Sequence, residues 1–145
     1  MNCEIAYIPK AFEGAKVLVT GHTGFKGSWL SMWLNLLGAD VFGISNSIPS
    51  TPSLFELASV NDYVEDIRLD ILDFKVLSNK ISTIKPDYIF HLAAQPIVKE
   101  SYVNPRETWL TNTIGTVNLL DSLRVLNHKC IVIFITSDKV YDNKE

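Results

Sequence analysis

Three glycines recur at every third position directly after a short apolar run, and this pattern constrains the fold more than any other in the sequence. The run covers residues 16–20, Gly21, Gly24 and Gly27 follow it, and residues 28–37 have the composition of a helix. A strand, a glycine turn and a helix together can hold a pyrophosphate, because the glycines allow a tight turn, a close approach of the ligand and close helix packing. The pattern predicts a dinucleotide-binding loop; the alternative is an ordinary strand–helix turn that is rich in glycine.

Composition excludes several classes of function. The chain has 145 residues, 47% of them hydrophobic and 20% charged, which is typical of one globular domain. A net charge of −3 without a basic stripe argues against a nucleic-acid partner. No apolar run approaches the ~20 residues of a membrane span, and the first 13 residues make a poor signal peptide. Two cysteines and no metal-ligand spacing suit a reduced, cytoplasmic protein without a metal.

Apolar runs and amphipathic stretches alternate along the chain. This alternation predicts an α/β fold of the Rossmann type, a doubly wound parallel sheet with helices on both faces. Residues 1–15 are expected to be a lead-in segment, and residues 16–145 a dinucleotide-binding domain. The predicted strands cover residues 16–20, 40–45, 63–67, 87–94 and 129–135, and the predicted helices cover residues 28–37, 72–84 and 107–126.

The first helix is unusually apolar. Ser28, Ser31 and Asn35 make only a thin polar stripe, so we expect the helix to be buried on most sides, with Trp29 and Trp33 in the core. Residues 102–106 predict a proline-containing turn, and residues 129–135 predict a buried strand. Ligands of a doubly wound sheet bind beyond the carboxyl ends of its strands, which brings together residues 21–27, 45–47, 93–95 and 136–139.

The segment after the second strand bears on the choice of dinucleotide. NAD-binding domains often have a carboxylate there for the ribose hydroxyls, whereas this chain has Ser45 and Asn46, which could supply neutral contacts. No basic residue between Lys26 and Arg68 is available for the 2′-phosphate of NADP, so the sequence favours NAD. Lys26 and His22 could each serve a phosphate, although Lys26 could equally be a solvated residue at the start of a helix.

A carboxylate near the third strand could serve the other end of the cofactor. Asp66 and Ile67 are predicted to end this strand, where the carboxylate could accept a hydrogen bond from the adenine amino group and Ile67 could pack against the adenine ring. The alternative is a charged residue that enters a loop. His91 is expected to be a core histidine with both ring nitrogens satisfied.

Four strings in this order carry a family resemblance. They are TGHTGFKG at residues 20–27, HLAAQ at 91–95, TNTIGT at 111–116 and TSDKVY at 136–141. Together they resemble the N-terminal half of an extended short-chain dehydrogenase/reductase, and the fuller strings resemble the CDP-glucose 4,6-dehydratases of that superfamily. The resemblance implies an internal redox dehydration, in which a hydride leaves C4 of the hexose, water is lost across C5 and C6, and the hydride returns to C6.

The same resemblance implies roles for individual residues. Ser137 would lie near the C4 oxygen, Asp138 would protonate the leaving C6 hydroxyl, and Asn112 would support a catalytic lysine through water. Lys139 could remove the C5 proton, which needs a depressed pKa, or could instead hold Asp138 or stabilise the enolate. Gln95 would contact the nucleotide-sugar substrate. The cofactor-binding set comprises Gly21, Thr23, Gly24, Phe25, Lys26, Gly27, Ser45, Asn46, Asp66, Ile67, Ala93 and Ala94.

The resemblance also implies parts that the sequence lacks: a Tyr-x-x-x-Lys pair, a sixth strand and a C-terminal sugar-nucleotide domain. It therefore implies that residues 16–145 are an incomplete NAD-binding Rossmann domain, truncated at its C-terminal side. No Tyr-x-x-x-Lys pair occurs in the sequence, because Glu145 stands four residues after Tyr141. The chain alone is therefore expected to be inactive as a dehydratase. Two alternatives stay open: an NAD-dependent sugar-nucleotide epimerase, and a non-catalytic dinucleotide-binding module. Superfamily dimers bury the helix that corresponds to residues 107–126, so a homodimer or a higher homo-oligomer is expected.

Overall fold

A computed structural model describes residues 7–137 and residue 142, with helices on both faces of a five-stranded sheet. The strands are β1 (Lys16–Thr20), β2 (Asp40–Ser45), β3 (Glu65–Arg68), β4 (Tyr88–His91) and β5 (Ile131–Phe134). The α-helices are α1 (Tyr7–Phe12), α2 (Phe25–Leu36), α3 (Leu54–Leu57), α4 (Phe74–Ile84), α5 (Val98–Val103), α6 (Pro105–Trp109) and α7 (Gly115–Ser122). Short 3-10 turns cover Val60–Asp62 and Leu123–Val125, and a π-helical segment, Leu110–Ile114, joins α6 to α7.

The sheet confirms the predicted topology. Its strand order is β3-β2-β1-β4-β5, and all four neighbouring pairs are parallel. Strands β2 and β3 are added on one side of β1, and strands β4 and β5 on the other side. The boundary between β1 and β4 is therefore the switch point where ligands of such folds bind. The glycine turn after β1 and the loop after β4 therefore leave the sheet side by side.

Each face of the sheet has its own hydrophobic core. On one face, α4 and α7 pack over buried side chains that include Leu18, Ile44, Leu77, Ile89 and Leu119. On the other face, α2 and α3 cover Val17, Val19, Leu34, Val41 and Phe55. Phe12 of α1 packs against the second core with its ring centroid 5.0 Å from that of Tyr88. The described part of the chain contains no helix that is both long and apolar enough to cross a membrane.

The orientation of α2 is opposite to the predicted one. Ser28 and Ser31 are fully buried, whereas Trp29 and Trp33 are 57% and 56% exposed. The reason is the close approach of this helix to the glycine turn, since a Cβ on Gly27 would lie 2.1 Å from the Gly21 carbonyl oxygen. Only small side chains fit on the face that approaches the turn, so the tryptophans lie on the outside.

Several element boundaries also differ from the predictions. The expected turn at residues 102–106 is part of two short helices, α5 and α6, and the expected helix 107–126 is divided into α6, the π-helical segment and α7. Strand β5 is not buried, because Ile131 at its start is 44% exposed. Strand β3 begins at Glu65 and continues to Arg68, so Asp66 is inside this strand and not at its end.

Candidate cofactor and substrate site

The glycine turn is packed too tightly for side chains at two of its three glycines. Gly21 has a φ of +76°, and a Cβ there would lie 2.8 Å from the backbone nitrogen of Ala93. Gly27 is equally constrained by the Gly21 carbonyl. Gly24 is different, because its added Cβ would meet only the Gly21 oxygen, at 3.3 Å. Gly24 also directly precedes the first residue of α2. The unpaired N–H groups at the start of this helix favour an anion there.

His22 belongs to this turn, and its side chain does not reach solvent. Its Nε2 is 3.0 Å from Asp66 Oδ1, and its Nδ1 is 3.1 Å from Ser45 Oγ. Because the carboxylate only accepts, Nε2 carries the proton and the Ser45 hydroxyl donates to Nδ1. The side chain is 0% exposed, so the suggestion that His22 binds a phosphate is wrong. The Ser45 hydroxyl, expected to contact a ribose, is bonded to His22 instead.

Asp66 is held from two directions inside the sheet. Its second oxygen, Oδ2, accepts hydrogen bonds from Nε and Nη2 of Arg68, at 3.1 and 2.8 Å. Arg68 in turn lies 5.1 Å from the centre of the Phe55 ring. Ile67, predicted beside the adenine, is buried in the core between α4 and the sheet. The structure thus places Asp66 and Ile67 away from the strand end for which a cofactor contact was predicted.

Asp70 has the position at the strand end that was predicted for Asp66, and the sequence analysis did not select it. It is exposed, its Oδ2 is 3.4 Å from Nδ2 of Asn46, and its Oδ1 accepts a bond from the Leu72 amide at 2.9 Å. The amide of Leu69 donates to the Ser45 carbonyl and continues the β2–β3 pairing up to this point. The signal that could have found Asp70 is the spacing of the strand, since it lies directly after the last buried residue of the run, Leu69.

The remaining residues of the turn have different environments. Thr23 is buried, and its hydroxyl donates to the Ser47 carbonyl at 2.7 Å, which attaches the turn to the loop after β2. Phe25 and Lys26 are exposed at the start of α2. Asn46 is exposed beside Asp70.

The loop after β4 leaves the sheet next to Gly21. Thr20 Oγ1 accepts hydrogen bonds from the amides of Leu92 and Ala93, both at 3.2 Å. His91 precedes these residues and is 5% exposed, with Nδ1 2.7 Å from Thr20 Oγ1 and Nε2 3.0 Å from Thr116 Oγ1. Both ring nitrogens are therefore satisfied, as the sequence predicted, and burial lowers the pKa of His91 to about 4.

Asn112 and Gln95 lie together across this loop. Oδ1 of Asn112 accepts from the Gln95 backbone amide at 2.7 Å, and its Nδ2 donates to the Gln95 carbonyl at 3.1 Å. The Gln95 side chain is bonded locally, because its Nε2 donates to Thr108 Oγ1 at 2.9 Å and its Oε1 accepts from the Ile97 amide at 2.6 Å. The structure thus brings Ala93, Ala94 and Gln95 alongside Asn112.

The end of β5 completes this edge of the sheet. Ser137 is exposed three residues after β5 ends at Phe134. Asp138 and Lys139 lie outside the described residues. In the described ranges, no three His, Cys, Asp or Glu side chains are close enough to share a metal ion.

Comparisons with known proteins agree with this fold. The family model described as GDP-mannose 4,6 dehydratase matches residues 18–145. A CDP-glucose 4,6-dehydratase of Salmonella typhimurium is 51% identical over 134 residues, which cover 92% of this chain and 37% of that protein. A CDP-paratose 2-epimerase of Salmonella typhi is 34% identical over 132 residues, with 90% and 39% of the two chains covered.

A solved structure extends the similarity to three dimensions. A UDP-glucose 4-epimerase of Brucella ovis in complex with NAD has a TM-score of 0.70 and 29% identity, and the match covers 83% of this chain and 35% of that one. In each comparison, the chain spans well under half the length of the protein it matches.

Proposed function

Because the chain belongs to the GDP-mannose 4,6-dehydratase family, we propose that it is the cofactor-binding part of an NAD-dependent dehydratase of nucleotide-activated hexoses, with CDP-glucose as the substrate. The observation that carries the proposal is the glycine turn, which has no room for a Cβ at Gly21 or Gly27 and lies against the loop after β4. The 51% identity to a CDP-glucose 4,6-dehydratase supports the choice of substrate.

The residues of the turn fit a dinucleotide. The pyrophosphate would lie at Gly24, where backbone can be approached and the N-terminus of α2 offers N–H groups. Ala93 and Ala94 have small side chains next to Gly21, so the nicotinamide ribose would lie beside them. Bound NAD would supply a reversible hydride acceptor, while the protein binds, orients and handles protons.

We place the adenosine end of NAD beside Asp70 and Asn46. Asp70 is an exposed carboxylate at the end of β3 that can accept from an adenine amino group or a ribose hydroxyl, and Asn46 is next to it. Arg68, the nearest cation in sequence, is paired with Asp66 at 2.8 Å and stacked on Phe55. This pairing supports NAD over NADP, because the guanidinium is already engaged by a carboxylate.

We assign the catalytic roles to residues that follow β5 in the sequence. Elimination needs one proton removed at C5 and one supplied to the C6 hydroxyl, and we assign these tasks to Lys139 and Asp138. Ser137, after β5, would bond the C4 oxygen. The chain has no Tyr-x-x-x-Lys pair for the C4 hydroxyl proton, so we propose that it does not turn over CDP-glucose alone. Measured turnover by the 145-residue chain would contradict this.

A glycine substitution tests the cofactor site. Gly24→Ala adds a methyl group that meets only one backbone oxygen, at 3.3 Å, so the fold should be retained while the pyrophosphate is blocked. We expect NAD affinity to fall at least about tenfold, as measured by titration calorimetry. Gly14→Ala is the control, since Gly14 has a φ of +69° and no atoms within 4 Å of its added Cβ, so this change strains the backbone far from the turn. Equal NAD affinity for Gly24→Ala and the wild type would overturn the assignment.

An epimerase is the second candidate, favoured by the CDP-paratose 2-epimerase that is 34% identical. An epimerase shares the cofactor turn but does not need the acid–base pair of Asp138 and Lys139. In the protein that contains this chain, Lys139→Met should therefore abolish a dehydratase and spare an epimerase. The products also differ, because a dehydratase loses water and an epimerase conserves mass.

We also propose self-association through the outer surface of α7. Val117 and Leu120 are 51% and 47% exposed on this helix, although they are apolar. Superfamily dimers bury the corresponding helix. Light scattering of the wild type and of Leu120→Glu would test this, and an unchanged mass would contradict it.

A further inference from the structure

His91 is fully hydrogen-bonded in the core, yet the proposed chemistry gives it no task. It lies between Thr20, which precedes the glycine turn, and Thr116, which is on α7. These three residues belong to β1, β4 and α7, so the bonds cross from the cofactor turn to the helix that follows Asn112.

In this series of hydrogen bonds, each side chain accepts from the residue before it and donates to the residue after it. Thr20 Oγ1 accepts from the amides of Leu92 and Ala93, which uses both lone pairs, so its own hydrogen is donated to His91 Nδ1. His91 is then neutral with its proton on Nε2, which donates to Thr116 Oγ1 at 3.0 Å. The Thr116 hydroxyl donates onward to the Asn112 carbonyl at 2.8 Å.

The last acceptor is in an irregular part of the backbone. Asn112 is the central residue of the π-helical segment Leu110–Ile114, and such segments often occur at functional sites. The Asn112 side chain forms both of its bonds to the backbone of Gln95, at 2.7 and 3.1 Å. Asn112 thus receives the bond from Thr116 on its main chain and holds the loop after β4 with its side chain.

We propose that His91 and Thr116 are positioning residues: the chain of bonds from Thr20 through His91 and Thr116 to Asn112 fixes the loop 93–95 against the glycine turn. Asn112 accordingly holds the Gln95 backbone with its side chain. Both ends of the loop are fixed by this series of hydrogen bonds, because Thr20 bonds Ala93 and Asn112 bonds Gln95. The consequence for NAD rests on the proposed function, whereas the position of the loop does not.

The test uses Thr116→Val, which keeps the shape of the side chain and removes its hydroxyl. Thr83→Val is the matched control, since Thr83 also donates to the carbonyl four residues earlier at 2.8 Å, on α4. Thr116→Ser restores the hydroxyl without the methyl group. Amide hydrogen exchange of Ala93 and Gln95, measured by NMR relative to a core amide such as Ile89, reports the loop, and NAD titration reports its use.

We expect Thr116→Val to speed exchange of the Gln95 amide about tenfold relative to Ile89, as the loss of about one hydrogen bond implies. NAD affinity should fall several-fold, and Thr116→Ser should restore both quantities. Unchanged relative exchange in Thr116→Val, or an equal effect of Thr83→Val, would overturn the proposal. If the wild type does not bind NAD, the proposed function fails, while the exchange rates still decide whether the loop is positioned in this way.

Discussion

The surroundings of His22 and of His91 differ, although both histidines lie under the same edge of the sheet. His22 bonds a carboxylate and a hydroxyl, and the carboxylate is shared with Arg68. His91 bonds two threonine hydroxyls. Burial lowers the pKa of both, but the Asp66 carboxylate opposes this change at His22. The glycine turn after β1 is therefore fixed by an ionic group, and the loop after β4 by neutral hydroxyl groups.

The two kinds of hydrogen-bond partner respond differently when the histidine ring gains a proton. A charged partner tolerates protonation of the ring, because a carboxylate stabilises the imidazolium. Hydroxyl partners do not, since a second proton on His91 would face the Thr20 oxygen whose lone pairs are already used. Substitutions and pH changes should therefore affect the two regions differently.

The largest effect is expected from filling the space around His22. A Cβ on Gly43 would lie 2.3 Å from two ring atoms of His22, so Gly43→Ala should cost about 3 kcal/mol of unfolding free energy or more, measured with urea. Gly115→Ala is the control, because its Cβ would meet the flexible end of Ile71, also at 2.3 Å. The double variant Gly43→Ala/His22→Ala should recover part of the loss. A Gly43→Ala cost no larger than that of Gly115→Ala would contradict the packing described for His22.

A comparable effect is expected from acid on His91. Its pKa is lowered from 6.5 to about 4 by burial, so the unfolded chain binds the proton more readily. The contribution is complete above pH 6.5 and is lost as pH falls towards 4, by about 3 kcal/mol in total. NMR titration of the native ring should show a midpoint far below that of a free histidine. A midpoint near 6.5 would refute the neutral arrangement on which the bond directions depend.

The smallest effect is expected at the ionic partner of His22. Asp66→Asn retains an acceptor for Nε2 but removes the charge, so the pKa of His22 should fall further while that of His91 stays unchanged. The partly exposed pair with Arg68 is worth only about 1 kcal/mol. Asp121→Asn, which breaks the exposed pair with Arg124, serves as a control with no measurable loss. A rise in the His22 pKa in Asp66→Asn would show that the carboxylate is not its main ionic partner.

The sequence predicted the order of the strands because four of the five are distinct apolar runs. Strand β3 is the exception, since three of its four residues are charged. The glycine turn was also predictable, since its spacing and the strand before it are local features. Ser53 caps α3 with its side chain, which accepts a hydrogen bond from the Glu56 amide at 3.2 Å.

The faces of α2 could not be predicted from hydrophobicity. The rule that apolar side chains face inward fails when the inner face has no room for them. Gly27, Ser28 and Ser31 face inward because they are small, and the tryptophans face outward. Only the distance between the helix and the glycine turn, a tertiary quantity, decides this.

The position of Asp66 was predicted wrongly for a similar reason. Asp66 and Asp70 are four residues apart, and both lie beside an isoleucine. Which of them ends β3 depends on its register with β2, in which Asp66 pairs with Gly43. The sequence also gave no sign that His22 would bury a partner for Asp66, because the two are 44 residues apart.

The contact between Gly21 and the backbone of Leu92 and Ala93 has a consequence for ligand entry. Because these segments touch without intervening side chains, the two sides of the site form one stiff frame. A ligand that enters this frame has little backbone to order, so most of the ordering entropy is already lost when the chain folds. Association should then be limited by diffusion and dehydration, and not by closure of the glycine turn.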